Sequence, residues 1–262
     1  MKKLLLLVFF IPSFSVPLDA LAEEAAKTAV SPVNRVALLE LYTSEGCSSC
    51  PPADHFLSGL KDSGFTDQQL IPLAFHVTYW DYIGWKDRFA KKQYDRRQRE
   101  LAYKNNKSTV YTPQFVLVGD DYRRYMTFNK DINKVVAGKS SVRLALTVKQ
   151  DEGSLQLELT SDITNSEIKD VRYYFAIVEN NLFSDVDDGE NEGKKLRHDF
   201  VVRHLSGPYF HGKPEEQRVT EHVVALDEEW KKQDLSIVAF AENPHTGDVL
   251  QAVNIRYQGS SE

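Results

Sequence analysis

The sequence predicts an α/β domain, a mixed sheet flanked by helices, over residues 34–138, followed by an all-β, sandwich-like domain over residues 139–262. Three observations carry this reading. Short apolar runs alternate with stretches of helical period up to Gly138, which indicates an α/β layer. After Gly138 the texture becomes short runs of alternating apolar and polar residues separated by turn signals, the pattern of a β-sandwich. The two cysteines of the chain stand together, Cys47-Ser48-Ser49-Cys50, where a strand-like run gives way to a helix.

The elements follow in order. Met1-Lys2-Lys3, the apolar run Leu4 to Ile11 and Ala20-Leu21-Ala22 have the form of a secretory signal peptide over residues 1–22; the apolar run is too short to span a bilayer. Residues 23–33 lack an apolar period and are expected to be a flexible lead-in. Arg35 to Tyr42 reads as a buried strand and Thr43 to Gly46 as a loop. Pro51-Pro52 opens a helix carrying Phe56, Leu57 and Leu60 and ending near Gly64; proline is tolerated there because the first N–H groups have no intrahelical partner. Leu70 to Tyr79 is a second buried strand, and Asp87 to Lys104 a helix with Ala90, Tyr94 and Leu101 inward. Gln114–Val118 and Tyr122–Phe128 form a hairpin around Gly119-Asp120-Asp121, and Asp131 to Ala137 a last helix stopped by Gly138. Beyond it, strands are expected at Ser141–Lys149, Ser154–Thr160, Val171–Val178, Phe200–His204, Thr220–Leu226, Leu235–Ala241 and Val249–Tyr257, with the acidic stretch Asp185 to Glu192 a surface loop.

The formal charge of the 262 residues is −6; removing residues 1–22 takes out two lysines and one aspartate, a net +1, and leaves −7. A mildly acidic chain with no Lys/Arg block offers no footprint for nucleic acid and no basic face for anionic lipid. No segment after residue 22 is apolar for long enough to span a membrane, so the exported chain is expected to be periplasmic or secreted.

Two cysteines three residues apart close too small a loop to restrain the unfolded chain much, so their value is chemical. At a helix N-terminus the unpaired N–H groups and the helix dipole favour a thiolate. Cys47 is therefore expected to be the exposed attacking sulfur and Cys50 the resolving one. Zinc would need further Cys or His ligands at suitable spacing, and none follow. Tyr111-Thr112-Pro113-Gln114 is the second signal. A proline entering the strand after the second helix is where a thioredoxin-like sheet places a cis-proline beside its dithiol, with Thr112 and Pro113 shaping the substrate groove. Glu40, in the strand leading to the cysteines, is a candidate proton relay to Cys50 or else the partner of a cation. Trp80 and Trp85 are candidates to wall a binding surface at the end of the second strand, with His76 and Asp81 as hydrogen-bonding groups or His76 as a satisfied core histidine. His198, His204, His211, His222 and His245 show no ligand spacing, and no metal or cofactor is expected.

The run Leu39 to Asp54 around the cysteines, the block Phe75 to Asp87, the Tyr111–Gln114 motif, and Gly189-Glu190-Asn191-Glu192-Gly193 with Leu196-Arg197-His198 occur in that order. Together they resemble an uncharacterised family of secreted bacterial proteins, domain of unknown function 1223. Thr78 and Arg88 depart from the acid and the proline usual in that family. The resemblance implies a thioredoxin-like fold and an exported location, without a settled substrate. From the cysteines themselves, the expected function is that of an exported thiol–disulfide oxidoreductase acting on protein or small-molecule thiols and disulfides with an unnamed redox partner. A dithiol binding module for a soft metal such as Cu(I), and a non-catalytic interaction protein on a thioredoxin-like scaffold, are the alternatives. The mature chain has only Met126 and no His-rich tract to favour copper.

Overall fold

Ala37–Thr43 is buried at every position, and such a run belongs at the centre of a sheet covered on both faces. The computed structural model describes residues 26–151, 153–211 and 217–257; the expected signal peptide, residues 1–22, lies outside them. The first half of the chain contributes β1 (Lys27–Val30), β2 (Ala37–Thr43), α1 (Pro51–Gly59), β3 (Leu70–His76), α2 (Lys92–Lys104), β4 (Gln114–Leu117), β5 (Asp120–Tyr122) and α3 (Phe128–Val136). The second half contributes β6 (Val142–Asp151), β7 (Ser154–Ile163), β8 (Val171–Glu179), β9 (Leu182–Asp185), β10 (Lys195–His198), β11 (Val201–His211), β12 (Arg218–Ala225), β13 (Leu235–Glu242) and β14 (Val249–Arg256). Strands dominate and helices are few: an α/β part followed by a β-rich part.

One mixed sheet of eight strands runs β14-β13-β8-β11-β3-β2-β4-β5 and takes strands from both halves. β2 and β3 are parallel, β4 runs antiparallel to β2, and β5 turns back antiparallel to β4. The halves join where Val201 of β11 stands beside Ala74 of β3, whose N–H donates to the Phe200 carbonyl at 2.7 Å. The alternating side chains of β2 divide two cores. Ala37, Leu39 and Leu41 pack with Ala53 and Leu57 of α1 and Phe128 and Ile132 of α3. Leu38 and Tyr42 pack on the other face with Tyr94 and Leu101 of α2, and with Tyr174, Ala176, Phe240 and Ala252 of the second half. The sheet curls so that its far strand meets this region again: the Val249 N–H donates to the Val118 carbonyl at 3.1 Å. Gly119 permits that seam, since its φ is +100° and a Cβ there would come within 2.2 Å of the Gly247 carbonyl oxygen. A second sheet, β1-β6-β7-β12, lies over β8, β13 and β14 around a third core that includes Leu144, Leu157, Phe175 and Ile237.

Several elements differ from expectation. Within the lead-in, Lys27–Val30 forms β1 and pairs antiparallel with β6, because four residues suffice for an edge ladder yet are too few to show a period. Helix α2 begins at Lys92, not Asp87, because the Asp87 carboxylate is engaged elsewhere, accepting from the N–H groups of Glu45 and Phe89, each at 2.9 Å. The hairpin strand expected to reach Phe128 ends at Tyr122, and the chain turns through Tyr125–Thr127 into α3. The acidic stretch Asp185 to Glu192 is framed by a two-stranded ribbon, β9 with β10.

Candidate functional site

Strand β2 delivers Thr43 and the loop Ser44–Gly46 to the start of α1, and there Cys47 and Cys50 form a disulfide. Cys50 is the N-cap residue of α1, with Pro51 beginning the helix; its carbonyl accepts the N–H groups of Ala53 at 2.9 Å and Asp54 at 3.1 Å. Cys47 was expected to be exposed, but it is only 1% exposed, and Cys50 0%. Three elements cover it. The Thr112 hydroxyl donates to Cys47 Sγ at 3.3 Å and in turn accepts from Trp80 Nε1 at 2.6 Å. The Thr112–Pro113 peptide is cis. From the turn between β9 and β10, Asn191 Nδ2 donates to the carbonyls of Glu45 at 2.7 Å and Cys47 at 3.0 Å, and Glu190 accepts from the Ser48 N–H at 3.0 Å. The fold therefore gathers Cys47, Cys50, Thr112, Pro113 and Trp80 at one point. Trp85 reaches the same loop, donating to Glu45 Oε2 at 2.8 Å.

Glu40 belongs elsewhere. With Leu38 and Tyr42 it faces the α2 side of the sheet, opposite α1. Arg97 of α2 donates to both its oxygens, from Nη2 at 2.6 Å and Nε at 2.8 Å, and the Tyr42 hydroxyl donates at 2.7 Å. Arg97 also reaches Glu242 at 3.0 Å, and its guanidinium lies 5.0 Å from the ring centres of both Tyr174 and Phe240. A relay from Glu40 to Cys50 is overturned: the carboxylate is saturated by Arg97 on the wrong face of the sheet.

Behind the disulfide lies a second buried group that sequence spacing does not reveal. His76 closes β3, His198 closes β10, Asp54 is one turn into α1, Glu45 precedes Cys47 by two residues and Asp87 precedes α2; all are buried. His76 Nδ1 donates to Asp87 Oδ2 at 2.6 Å. Burial alone would lower the His76 pKa, but Asp87, aided by Asp54 and Glu45, lifts it to about 9. Burial likewise pushes the Asp54 carboxyl up, whereas His198 and His76 outweigh burial at Glu45 and hold it well below the ordinary range. The rings of His76 and His198 meet edge to face, 4.9 Å between centres. His76, expected as a hydrogen-bonding or satisfied core residue, is bonded through Nδ1 to Asp87, while its Nε2 has no hydrogen-bond partner among the described residues. His198 and Glu45 were missed as local partners of the cysteines; the Leu196-Arg197-His198 motif and the Glu45-Gly46-Cys47 run were the signals available. Asp81 accepts from the Asp87 N–H at 3.3 Å; His204 and His222 lie 3.4 Å apart on the β-rich side.

The sequence matches, over residues 38–242, the family described as "Protein of unknown function (DUF1223)". Among solved structures, a protein from Agrobacterium tumefaciens is similar at 20% identity and a TM-score of 0.62, covering 88% of this chain and 99% of its own. HBP35 of Porphyromonas gingivalis is similar at 14% identity and a TM-score of 0.66, covering 88% of this chain and 79% of its own. No curated protein matches the chain.

Proposed function

The chain belongs to the DUF1223 family, whose function is unknown, and from that premise we propose that it is an exported thiol–disulfide oxidoreductase working through Cys47 and Cys50. The observation that carries the proposal is the placement of a Cys-x-x-Cys disulfide at the N-terminus of α1 with the Thr112 hydroxyl, from a cis Thr–Pro turn, against Cys47 Sγ. A thioredoxin-like reading of the first half is supported by the order β3-β2-β4-β5, with α1 and α3 on one face and α2 on the other. In the reduced protein, the helix N-terminus favours thiolate at the dithiol. The Cys47 thiolate attacks a client disulfide, forming a mixed disulfide and releasing one client thiolate. The Cys50 thiolate then attacks the Cys47 sulfur, reforming the intramolecular disulfide and releasing the second. Two electrons pass to the client, and an external dithiol returns them; run backwards, the same steps oxidise a client dithiol.

Cys50→Ala is expected to trap mixed disulfides with client proteins through Cys47, detectable on non-reducing gels, and Cys47→Ala to trap none. Equal trapping by both variants, or none by either, refutes the mechanism. The periplasmic or secreted location rests on the form of residues 1–22. N-terminal sequencing of the protein recovered outside the cytoplasm is expected to begin at Glu23; a chain beginning at Met1 in the cytoplasm overturns that part.

A further inference from the structure

We infer that Asp54, His76 and His198 form a binding site for a divalent transition-metal ion, with His76 Nε2, His198 Nδ1 and an Asp54 carboxylate oxygen as ligands. These three residues offer ligand atoms that all lie within 4.8 Å of one another, and all three are buried. Zinc bonds such atoms at about 2.0–2.2 Å, so each needs to move inward by roughly 0.7 Å, within reach of small side-chain rotations.

The residues around the site hold one end of each side chain and leave the other open. Asp87 fixes His76 through Nδ1, which aims Nε2 inward, where it has no hydrogen-bond partner among the described residues. The Thr43 hydroxyl donates to Asp54 Oδ2 at 2.9 Å, while Oδ1 faces His198 Nδ1 at 3.9 Å. Trp85 holds Glu45 Oε2, and Glu45 Oε1 stands 3.2 Å from His198 Nε2 without the alignment of a hydrogen bond. His198, only 2% exposed, thus carries two ring nitrogens with no hydrogen-bond partner among the described residues. A buried polar atom without a partner costs free energy comparable to a lost hydrogen bond, and two of them, His76 Nε2 and His198 Nδ1, lie close to the Asp54 carboxylate, where a metal ion bound by the neutral imidazoles would satisfy both. Each imidazole also has a carboxylate behind it, Asp87 for His76 and Glu45 for His198, the outer arrangement that orients histidine on a metal. Two imidazoles and one carboxylate suit zinc or ferrous iron, and leave coordination positions open.

The test uses metal-free protein with the disulfide intact, so that thiols cannot bind. Titration with zinc chloride is expected to show one equivalent bound, and cobalt chloride to give visible absorption from nitrogen and oxygen ligands. Both signals should vanish in His198→Asn and Asp54→Asn and remain in His222→Asn. Asp87→Asn keeps all three ligands and should weaken zinc about 10- to 100-fold, which decides the matter if the ligand variants do not fold. No saturable binding of zinc, cobalt or ferrous ion by the unaltered protein overturns the site. So does binding that survives His198→Asn, or an affinity unchanged in Asp87→Asn.

Discussion

Glu40 and Arg97 lie on adjacent layers of the fold, and the guanidinium that holds the carboxylate is itself packed against Tyr174 and Phe240. Neutralising Glu40 weakens its hydrogen bonds with the Arg97 guanidinium, which keeps Glu242 as a counter-charge, so the cost is about 1.5–3 kcal/mol. Glu40→Gln is therefore expected to lower stability by about that amount in urea unfolding. The pH profile of Cys47 alkylation in the reduced protein should stay where it is, since Glu40 faces away from α1; a shifted profile would restore the relay. Local chemistry such as Cys47 and Cys50 is legible in a sequence because the chain itself sets the spacing. The partner of Glu40 is not, because Arg97 arrives from another element, and His198 reaches His76 only through the pairing of β9 with β10.

Among the elements, the ribbon of β9 and β10 matters most to the site, because its turn lays Asn191 and Glu190 over the Cys47 loop. A net protein hydrogen bond contributes about 0.5–1.5 kcal/mol, so the two donated by Asn191 hold the cover closed by a factor of roughly ten or more. Asn191→Ala is expected to raise the rate at which dithiothreitol reduces the disulfide roughly tenfold, followed by thiol titration, with a fall in melting temperature of only several degrees. An unchanged rate would mean that reductant enters by another face. Long apolar runs such as β2, β3, β8, β13 and β14 were readable because burial on both faces leaves a continuous signature. Short edge pieces were not: β1 and β9 have four residues each, and their stability comes from a neighbour's backbone.

At the scale of the whole molecule, the change of texture after Gly138 does not coincide with a break in the large sheet. β3 is flanked by β11, and Tyr174, Phe240 and Ala252 complete the core beneath α2. A fragment of residues 34–138 is therefore expected to lack a cooperative unfolding transition and to bind hydrophobic dyes, because one face of its core is uncovered; a sharp transition and dispersed amide resonances would show two autonomous domains. The seam adds a consequence of order in time. Gln251 of β14 donates to the carbonyls of Pro32 and Asn34 at 2.9 and 3.0 Å and accepts the Val36 N–H at 2.9 Å, while Arg35 is paired with Asp248. The earliest strands are thus finished by the last strand among the described residues. Domains that close on themselves can fold while still on the ribosome, but here the core under α2 waits for β14 to emerge. Until then the chain is still loose enough to thread a narrow channel, as the export proposed above would require.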